Sequence, residues 1–231
     1  MKKSILFTLA FALTACLFAQ DFIEARESFG FSVLNIDDTS DISAADMNSP
    51  ITERSRIFTK NGHLYAGGKR IKIYGMNIID IPSRRMADAT AKNLAQRGFN
   101  GVRFHDMDKN DGSALFTTLA NGTTITDYAK LDDFDYFVAQ LKRYGIYSNL
   151  NLISSRIYSE ADGFPKGTDQ ITNKKAVQIM SVFNDTAKFI EKDWITQILN
   201  HVNPYTHLAY KDDPGLAIVE IMDENGLINT Y

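Results

Sequence analysis

The sequence predicts a globular α/β protein built around a parallel β-sheet, and two observations support this prediction. From about residue 71 onward, short apolar segments of strand length alternate with longer segments of helical periodicity, as in successive βαβ units. Hydrophobic residues make up 44% of the 231 residues and the net charge is −3, which is typical of a globular protein rather than of a disordered chain or a basic nucleic-acid binder. The single cysteine excludes an intramolecular disulfide.

The N-terminus has the features of a bacterial export signal. Two lysines precede the uncharged residues 4–15, a run too short to span a bilayer. Leu13-Thr14-Ala15-Cys16 resembles the lipobox of bacterial lipoproteins, in which Cys16 becomes the lipid-modified N-terminus, whereas cleavage after Ala19 is the alternative for soluble export. We therefore predict a signal peptide over residues 1–20 and an exported protein, secreted or held in the periplasm or at the cell surface. If the lipobox is used, a lipid anchor on Cys16 is its only membrane attachment; if cleavage follows Ala19, the protein is exported in soluble form.

The next segments lead into the predicted sheet. Residues 21–55 are polar and irregular, which indicates a linker or an N-terminal wrap. Asn61-Gly62 lies between two β-prone runs and predicts a tight hairpin, and Gly67-Gly68 predicts a second turn. The predicted strands of the parallel sheet cover residues 71–75, 101–104, 147–152 and 216–222.

Amphipathic helices fill the gaps between these strands. Each is recognised by an apolar stripe at helical spacing, formed by Phe134, Phe137, Val138 and Leu141 in one helix and by Phe183, Ala187, Ile190, Trp194 and Ile198 in a longer one. Right-handed crossovers would place the carboxyl ends of all the strands at one edge, where functional groups of such folds lie.

Polar side chains cluster at those strand ends. They are Asn77 after the first strand, Arg103 and His105 at the second, Asn149 and Asn151 at the third, and Asp223 and Glu224 at the fourth. Strand alternation places Glu220 and Glu224 on one face and Asp223 on the other, so that Glu224 is predicted to point inward at the rim. The alternative is that residues 223–226 form only a solvated turn.

Four segments in this order closely resemble the cellulase-like clan A glycoside hydrolases near family 5. They are Tyr74-Gly75-Met76-Asn77, residues 101–105, residues 141–147, and residues 200–206 followed by residues 213–225, with Asp223-Glu224-Asn225 at the end of the fourth strand. The resemblance covers about residues 57–227 and implies a (β/α)8 TIM barrel. Residues 56–231 would form its N-terminal half, with about the first four βα units after an N-terminal β-hairpin.

The resemblance also implies an activity, the retaining hydrolysis of a β-linked polysaccharide or oligosaccharide. Glu224 matches the general acid/base, and Arg103 matches the arginine that supports the nucleophilic carboxylate. His105 and Asn77 would contact sugar hydroxyls or a catalytic carboxylate, or else be ordinary rim residues. The expected partner is a carbohydrate, and neither a metal nor an organic cofactor is implied.

Two departures from the family pattern affect this expectation. Asp223 stands where the family has an Asn that donates to a sugar hydroxyl, and an ionised Asp can only accept hydrogen bonds. The family's nucleophile follows a seventh strand, which we do not find in this sequence, and Asp106 and Asp108 are poor substitutes. We therefore expect the chain to be inactive alone, as a truncated product of a longer gene, with the C-terminal half-barrel missing or replaced by self-association.

Other functions remain open from sequence alone. A non-catalytic surface protein, lipid-anchored through Cys16, could hold glycans at the same rim, and a decaying fragment without function is the third possibility. Aromatic residues in the predicted rim loops, Tyr158, Phe164 and Tyr205, could stack on sugar rings or simply pack the loops.

Overall fold

The structure is a computed structural model that describes residues 43–172, 176, 178–224 and 226. The predicted signal peptide over residues 1–20, Cys16 and most of the segment 21–55 lie outside the described residues, so they remain predictions. None of the helices within the described part is long and apolar enough to cross a membrane.

Nine strands and three α-helices are described. The strands are β1 (Phe58–Lys60), β2 (His63–Ala66), β3 (Lys69–Arg70), β4 (Gly75–Ile78), β5 (Gly101–Phe104), β6 (Phe116–Thr118), β7 (Thr124–Thr126), β8 (Tyr147–Asn151) and β9 (Leu216–Glu220), and the helices are α1 (Arg84–Gln96), α2 (Tyr128–Arg143) and α3 (Asp185–Asn200). Short 3₁₀ turns lie at Ala45–Met47, Glu53–Ser55, Glu160–Asp162, Thr168–Gln170, Ile179–Val182 and Tyr210–Asp212.

The α/β class is confirmed by a four-stranded sheet in the order β4-β5-β8-β9, with all neighbours parallel. Helices α1 and α2 connect successive strands of this sheet, and α3 lies between β8 and β9. The carboxyl ends of all four strands therefore lie at one edge.

The N-terminal hairpin is also confirmed. Strands β1 and β2 pair antiparallel around Asn61 and Gly62, which both adopt positive φ (51° and 73°), as the favoured two-residue hairpin turn requires. Gly67 and Gly68 make the second such turn into β3.

The first strand of the parallel sheet starts later than residues 71–75, so that prediction was wrong in its bounds. The amide of Ile71 still donates to Leu64 of the hairpin, at 2.9 Å. Pairing with β5 begins only at Gly75, which lies opposite Gly101. The predicted fourth strand likewise ends early, at Glu220 rather than at residue 222, because the chain bends at Ile221.

The core lies between the sheet and its helices. Phe134 and Phe137 of α2 are fully buried and meet the Phe104 ring edge-on, with ring centres 4.8 and 5.9 Å apart. Trp194 of α3 is buried as well, and its indole N–H donates to the carbonyl of Leu152 at 2.9 Å. Both predicted apolar stripes therefore face the core.

Phe183 is the exception to this pattern. It was predicted to continue the stripe of α3, yet it is 70% exposed and precedes the helix. Asn184 is the N-cap, because its side chain accepts a hydrogen bond from the Ala187 amide at 3.0 Å. Because of this cap, the helix starts at Asp185, two residues later than the apolar spacing indicates.

Residues 43–55 pack across the ends of two helices. The amide of Ala44 donates to Gln96 at the end of α1, and that of Ile51 donates to Lys142 at the end of α2. Gly145 follows α2 with φ of 76°, and a Cβ at this position would lie 2.5 Å from the carbonyl oxygen of Ser49. The segment thus covers the bottom of the sheet, away from the polar strand ends.

Candidate active site

The polar strand ends converge as the parallel topology predicts. Arg103 on β5 lies opposite Asn149 on β8, and Asn151 lies opposite Glu220 on β9. Because side chains alternate along a strand, Asn149 and Asn151 point to the same face. A cavity of about 300 Å³ opens beside Arg103 and Asn149 on the inner face of the sheet.

Arg103 and Glu220 form the centre of the cluster. The guanidinium Nε lies 2.9 Å from Oε1 of Glu220 and Nη2 lies 2.5 Å from Oε2, which is a two-pronged ion pair. Asn149 donates to the same carboxylate at 2.5 Å, and Asn151 adds a longer contact at 3.4 Å. No role for Glu220 was predicted from the sequence, although its place on the alternating strand was a usable signal.

Asp223 is the second carboxylate on Arg103, with Oδ2 lying 2.6 Å from Nη2. Its amide donates to the carbonyl of Ile153 at 2.9 Å. Strand alternation had placed Asp223 on the face opposite Glu220, and this prediction was wrong. The strand stops at Glu220, so the period-two rule no longer applies after it.

The charges of this cluster support one another. Hydrogen bonds from Arg103 hold the pKa of the Glu220 carboxyl below its usual range, and they do the same for Asp223. The two carboxylates in turn raise the pKa of the Arg103 guanidinium, with Glu220 the larger influence. Both acids are therefore ionised near neutral pH.

His105 lies beside the cluster and is partly buried. Its Nδ1 is 3.1 Å from Nη1 of Arg103 and 3.0 Å from Oδ1 of Asn151, while Nε2 is 3.3 Å from Asp106. A proton on Nε2 satisfies both charged neighbours, because Nδ1 can then accept from Arg103 while Nε2 donates to Asp106.

Glu224 is exposed and has a left-handed backbone, with φ of 58°. Oxygen atoms of Glu224 and Asp223 and a ring nitrogen of His105 all lie within 4.8 Å of one another. The carboxyl group of Glu224 is thus at the rim next to the Arg103 cluster. These three residue types could ligate a metal. Asp223 is already paired with Arg103, however, and the positive charge of Arg103 opposes the binding of a cation there.

Asp106 and Asp108 hold two loops of the described part of the protein together. The buried Asp108 accepts hydrogen bonds from the amides of Ser154, Ser155 and Arg156 at 3.0–3.1 Å, and Asp106 accepts from the hydroxyls of both serines. Burial raises the pKa of Asp108, while these hydrogen bonds oppose the change. The two carboxylates tie the loop after β5 to the loop after β8.

The remaining predicted residues are less involved. Asn77 lies opposite Arg103 on β4 and lines the same cavity, but among the described residues we find no hydrogen bond to its side chain. Tyr158 and Phe164 are buried and stack on each other with ring centres 4.6 Å apart, so these rings pack the loop. Tyr205 instead donates its hydroxyl to Asp132 at 2.6 Å.

Comparison with known structures shows what the fold is similar to. The structure superimposes on the endo-1,4-β-mannanase of Rhizomucor miehei with a TM-score of 0.59 and 18% identity, covering 73% of this chain and 48% of that one. A family 5 mannosidase from the same organism, solved in complex with mannosyl-fructose, gives a TM-score of 0.57 and 15% identity over 76% of this chain and 50% of that one. Over the matched residues, the α/β fold of this chain is similar to about half of these structures, one of which is a family 5 glycoside hydrolase.

A curated sequence relative points the same way as the family 5 fold. A protein of Arabidopsis thaliana assigned as mannan endo-1,4-β-mannosidase 4 is 24% identical over 187 residues, which cover 79% of this chain and 45% of the relative. The chain thus spans about half the length of the proteins that it matches. No family model matches the sequence.

Proposed function

We propose that this chain carries the acid/base half of a retaining glycoside hydrolase that acts on a β-linked polysaccharide, with mannan as the first candidate. In this proposal the four parallel strands are part of a (β/α)8 barrel. Glu224 would protonate the leaving glycosidic oxygen and later activate water, and Arg103 and His105 would order the site around it.

One observation carries the proposal most directly. Glu224 lies at the carboxyl end of the parallel sheet, within 4.8 Å of His105 and next to the Arg103 cluster, in a fold similar to that of family 5 mannanases. In barrels of this kind, the functional residues occupy the carboxyl ends of the strands. The names of the matched proteins suggest a mannan chain as the substrate.

Retaining hydrolysis requires a second carboxyl group about 5 to 5.5 Å from the acid. The other described carboxylates at the strand ends are already engaged: Glu220 and Asp223 bind Arg103, and Asp106 binds two serine hydroxyls. We therefore propose that the nucleophile comes from residues outside this chain. The chain alone should bind a substrate without cleaving it.

The experiment measures the binding and the turnover of two sugars, β-1,4-mannohexaose and cellohexaose. Both are measured with this chain alone and with a longer protein that contains this chain and supplies the nucleophile. In the longer protein, Glu224→Gln should lower turnover of mannohexaose by about 10² to 10⁴. If the leaving group of a substrate needs no proton, this variant should break its glycosidic bond in the first step at nearly the wild-type rate. Glu53→Gln, at an exposed carboxylate paired with Arg56, is the matched control.

Unchanged turnover in Glu224→Gln would disprove the acid/base assignment. Equal binding of both hexaoses would remove mannan from its place as first candidate.

A non-catalytic glycan-binding protein is the second candidate, and it has its own supporting observation. Asp223 replaces the Asn of the resembling family, and its carboxylate is taken by Arg103. Tight binding of mannohexaose with no turnover in any longer protein would favour this function. The lipid anchor on Cys16 and the export of the chain belong to both proposals.

A further inference from the structure

We infer that a groove along helix α3 is a second carbohydrate-binding site, which holds a neutral β-linked oligosaccharide against two exposed aromatic rings. The choice of a sugar as the ligand rests on the proposed function, whereas the groove is a feature of the fold itself. Among the described residues that line the groove, none belongs to the Arg103 cluster. The site is therefore separate from the candidate active site.

The groove lies between strand β7 and the start of α2 on one side and helix α3 on the other. It consists of two cavities of about 400 and 240 Å³, and these share four lining residues, Thr126, Tyr128, Trp194 and Gln197. The larger cavity extends toward Arg156 and Asp162, and the smaller one extends toward His201. The larger cavity alone falls within the range of small-molecule sites, about 300 to 1,000 Å³, and the two together suit an elongated ligand.

Two aromatic side chains are exposed at this groove. Tyr128 is 78% exposed and Phe189 is 71% exposed, the two highest values for an aromatic side chain among the described residues. Tyr128 lines both cavities and Phe189 lines the larger one. An exposed ring leaves apolar area in contact with water, and the C–H groups of a sugar ring cover such a flat face well.

Polar groups lie on the same side of α3 as one of these rings. Phe189, Asp193 and Gln197 follow one another at four-residue spacing, so they share one face of the helix. The amide nitrogen of Gln197 donates to Asp193 at 2.6 Å, which holds the two exposed side chains together. Both side chains still have oxygen atoms that can accept hydrogen bonds from sugar hydroxyls.

The charge of the groove favours a neutral ligand. Arg156 is the only cation among the described residues that line the larger cavity, and its Nη2 lies 3.7 Å from the carboxylate of Asp162. Asp193 adds a second negative charge to the lining, so a phosphate or an acidic sugar would be repelled. A lipid chain would cover these polar groups without giving them hydrogen bonds. A neutral oligosaccharide avoids both costs.

The test uses the fluorescence of Trp194 in the full chain. Trp194 is the only tryptophan of the sequence, and it lines both cavities. Titration with β-1,4-mannohexaose should change its emission to a saturating value. Tyr128→Ala and Phe189→Ala should each raise the Kd of this titration about five- to tenfold, because each removes one ring that stacks on the sugar.

Phe183→Ala is the matched control for Phe189→Ala. Phe183 is 70% exposed but lines neither cavity, so this variant should keep the wild-type Kd. Because Phe183 and Phe189 are both exposed, neither variant opens a hole in the core, and folding is not at risk if Tyr128→Ala proves unstable.

Three results would overturn the inference. The first is an emission of Trp194 that mannohexaose does not change, and the second is a wild-type Kd in Phe189→Ala. The third is a dimer of this chain, seen by gel filtration, that Phe189→Ala dissociates, because the groove would then be an interface between two copies.

Glu224→Gln separates this inference from the proposed function. It should leave the Trp194 titration unchanged, because Glu224 does not line the groove. If it lowers the turnover of the longer protein while mannohexaose leaves Trp194 unaffected, only the second site is refuted. If turnover is unaltered while the groove still binds the sugar, only the acid/base assignment is refuted.

Discussion

Arg103 forms ion pairs with two carboxylates, and these pairs make the stability of the site depend on pH. Glu220 and Asp223 are both held below their usual pKa values by the same guanidinium. A carboxyl group whose pKa is lowered by folding adds stability above its unfolded pKa, and this stability is lost as the pH falls through the folded value. The cluster should therefore stabilise the fold near neutral pH and weaken below the ordinary Glu value of 4.5.

Glu220→Gln tests this at the level of one residue. It should lower the free energy of unfolding by about 1–2 kcal/mol at neutral pH, because a partly buried charged pair is replaced by a weaker neutral contact. The difference from the wild type should shrink as the pH falls below the ordinary Glu value of 4.5, and it should close once Glu220 is protonated in the folded state as well as in the unfolded state. Denaturant unfolding over this pH range measures it.

The control for this variant is Glu53→Gln. Glu53 also pairs with an arginine through two contacts, of 2.6 and 2.9 Å, but in an exposed setting. Its removal should change stability too little to resolve. A constant penalty for Glu220→Gln at all pH values would show that the lost contact is not electrostatic.

At this scale, the sequence predicted which strand ends carry the polar side chains, but not how those side chains pair. It placed Arg103, His105 and Glu224 at neighbouring strand ends, because parallel topology requires it. It could not find that Asp223 turns toward Arg103, since strand alternation extrapolates only as far as the strand itself. The bend at Ile221 is set by tertiary contacts with the loop at Ile153, which no local pattern encodes.

Among the elements, the connection from α2 to β8 is tightly constrained at Gly145. Gly145 has a left-handed backbone and faces the chain of residues 43–55 so closely that no Cβ can be placed there. The packing of the N-terminal segment on the helix ends thus depends on the absence of one side chain.

Gly145→Ala should therefore destabilise the protein by about 2–4 kcal/mol, combining the cost of a left-handed Ala with the clash against Ser49. Gly62→Ala is the matched control, since Gly62 has a similar φ of 73° but open space around it. It should cost only about 1 kcal/mol. Thermal and denaturant unfolding compare the two, and equal losses would show that Ser49 moves aside freely.

The elements themselves were largely predictable from sequence. The strand over residues 101–104 and both hairpin turns follow from β-prone runs and Asn-Gly or Gly-Gly pairs, which act locally. The start of β4 and the start of α3 were missed for different reasons. The hairpin keeps Ile71 as a partner, and the cap at Asn184 overrides the apolar spacing of Phe183.

For the molecule as a whole, one surface suited to contact with another chain is the inner face of the parallel sheet, the face that carries Arg103 and Asn149. Within the described residues, β4 pairs only with β5 and β9 only with β8. Ile218 lies opposite Asn149 on this face, is 38% exposed and lines the cavity. Unpaired edges next to exposed apolar side chains favour self-association.

Ile218→Thr should reduce self-association at high protein concentration, because it removes apolar surface from this face while keeping a β-branched residue in the strand. Light scattering coupled to gel filtration gives the measurement. Ile157→Thr is the matched control, since Ile157 is also 38% exposed but lies in a loop. Association that falls equally in both variants would place the contact elsewhere.

The pairing of the loops after β5 and β8 has a practical consequence for anyone who wishes to re-engineer this rim. Asp106 and Asp108 belong to one loop, and Ser154, Ser155 and Arg156, which bind them, belong to the other. A graft that replaced only one of these loops would leave a buried carboxylate facing foreign backbone. The loops after β5 and β8 therefore have to be replaced together when a new specificity is designed on this scaffold.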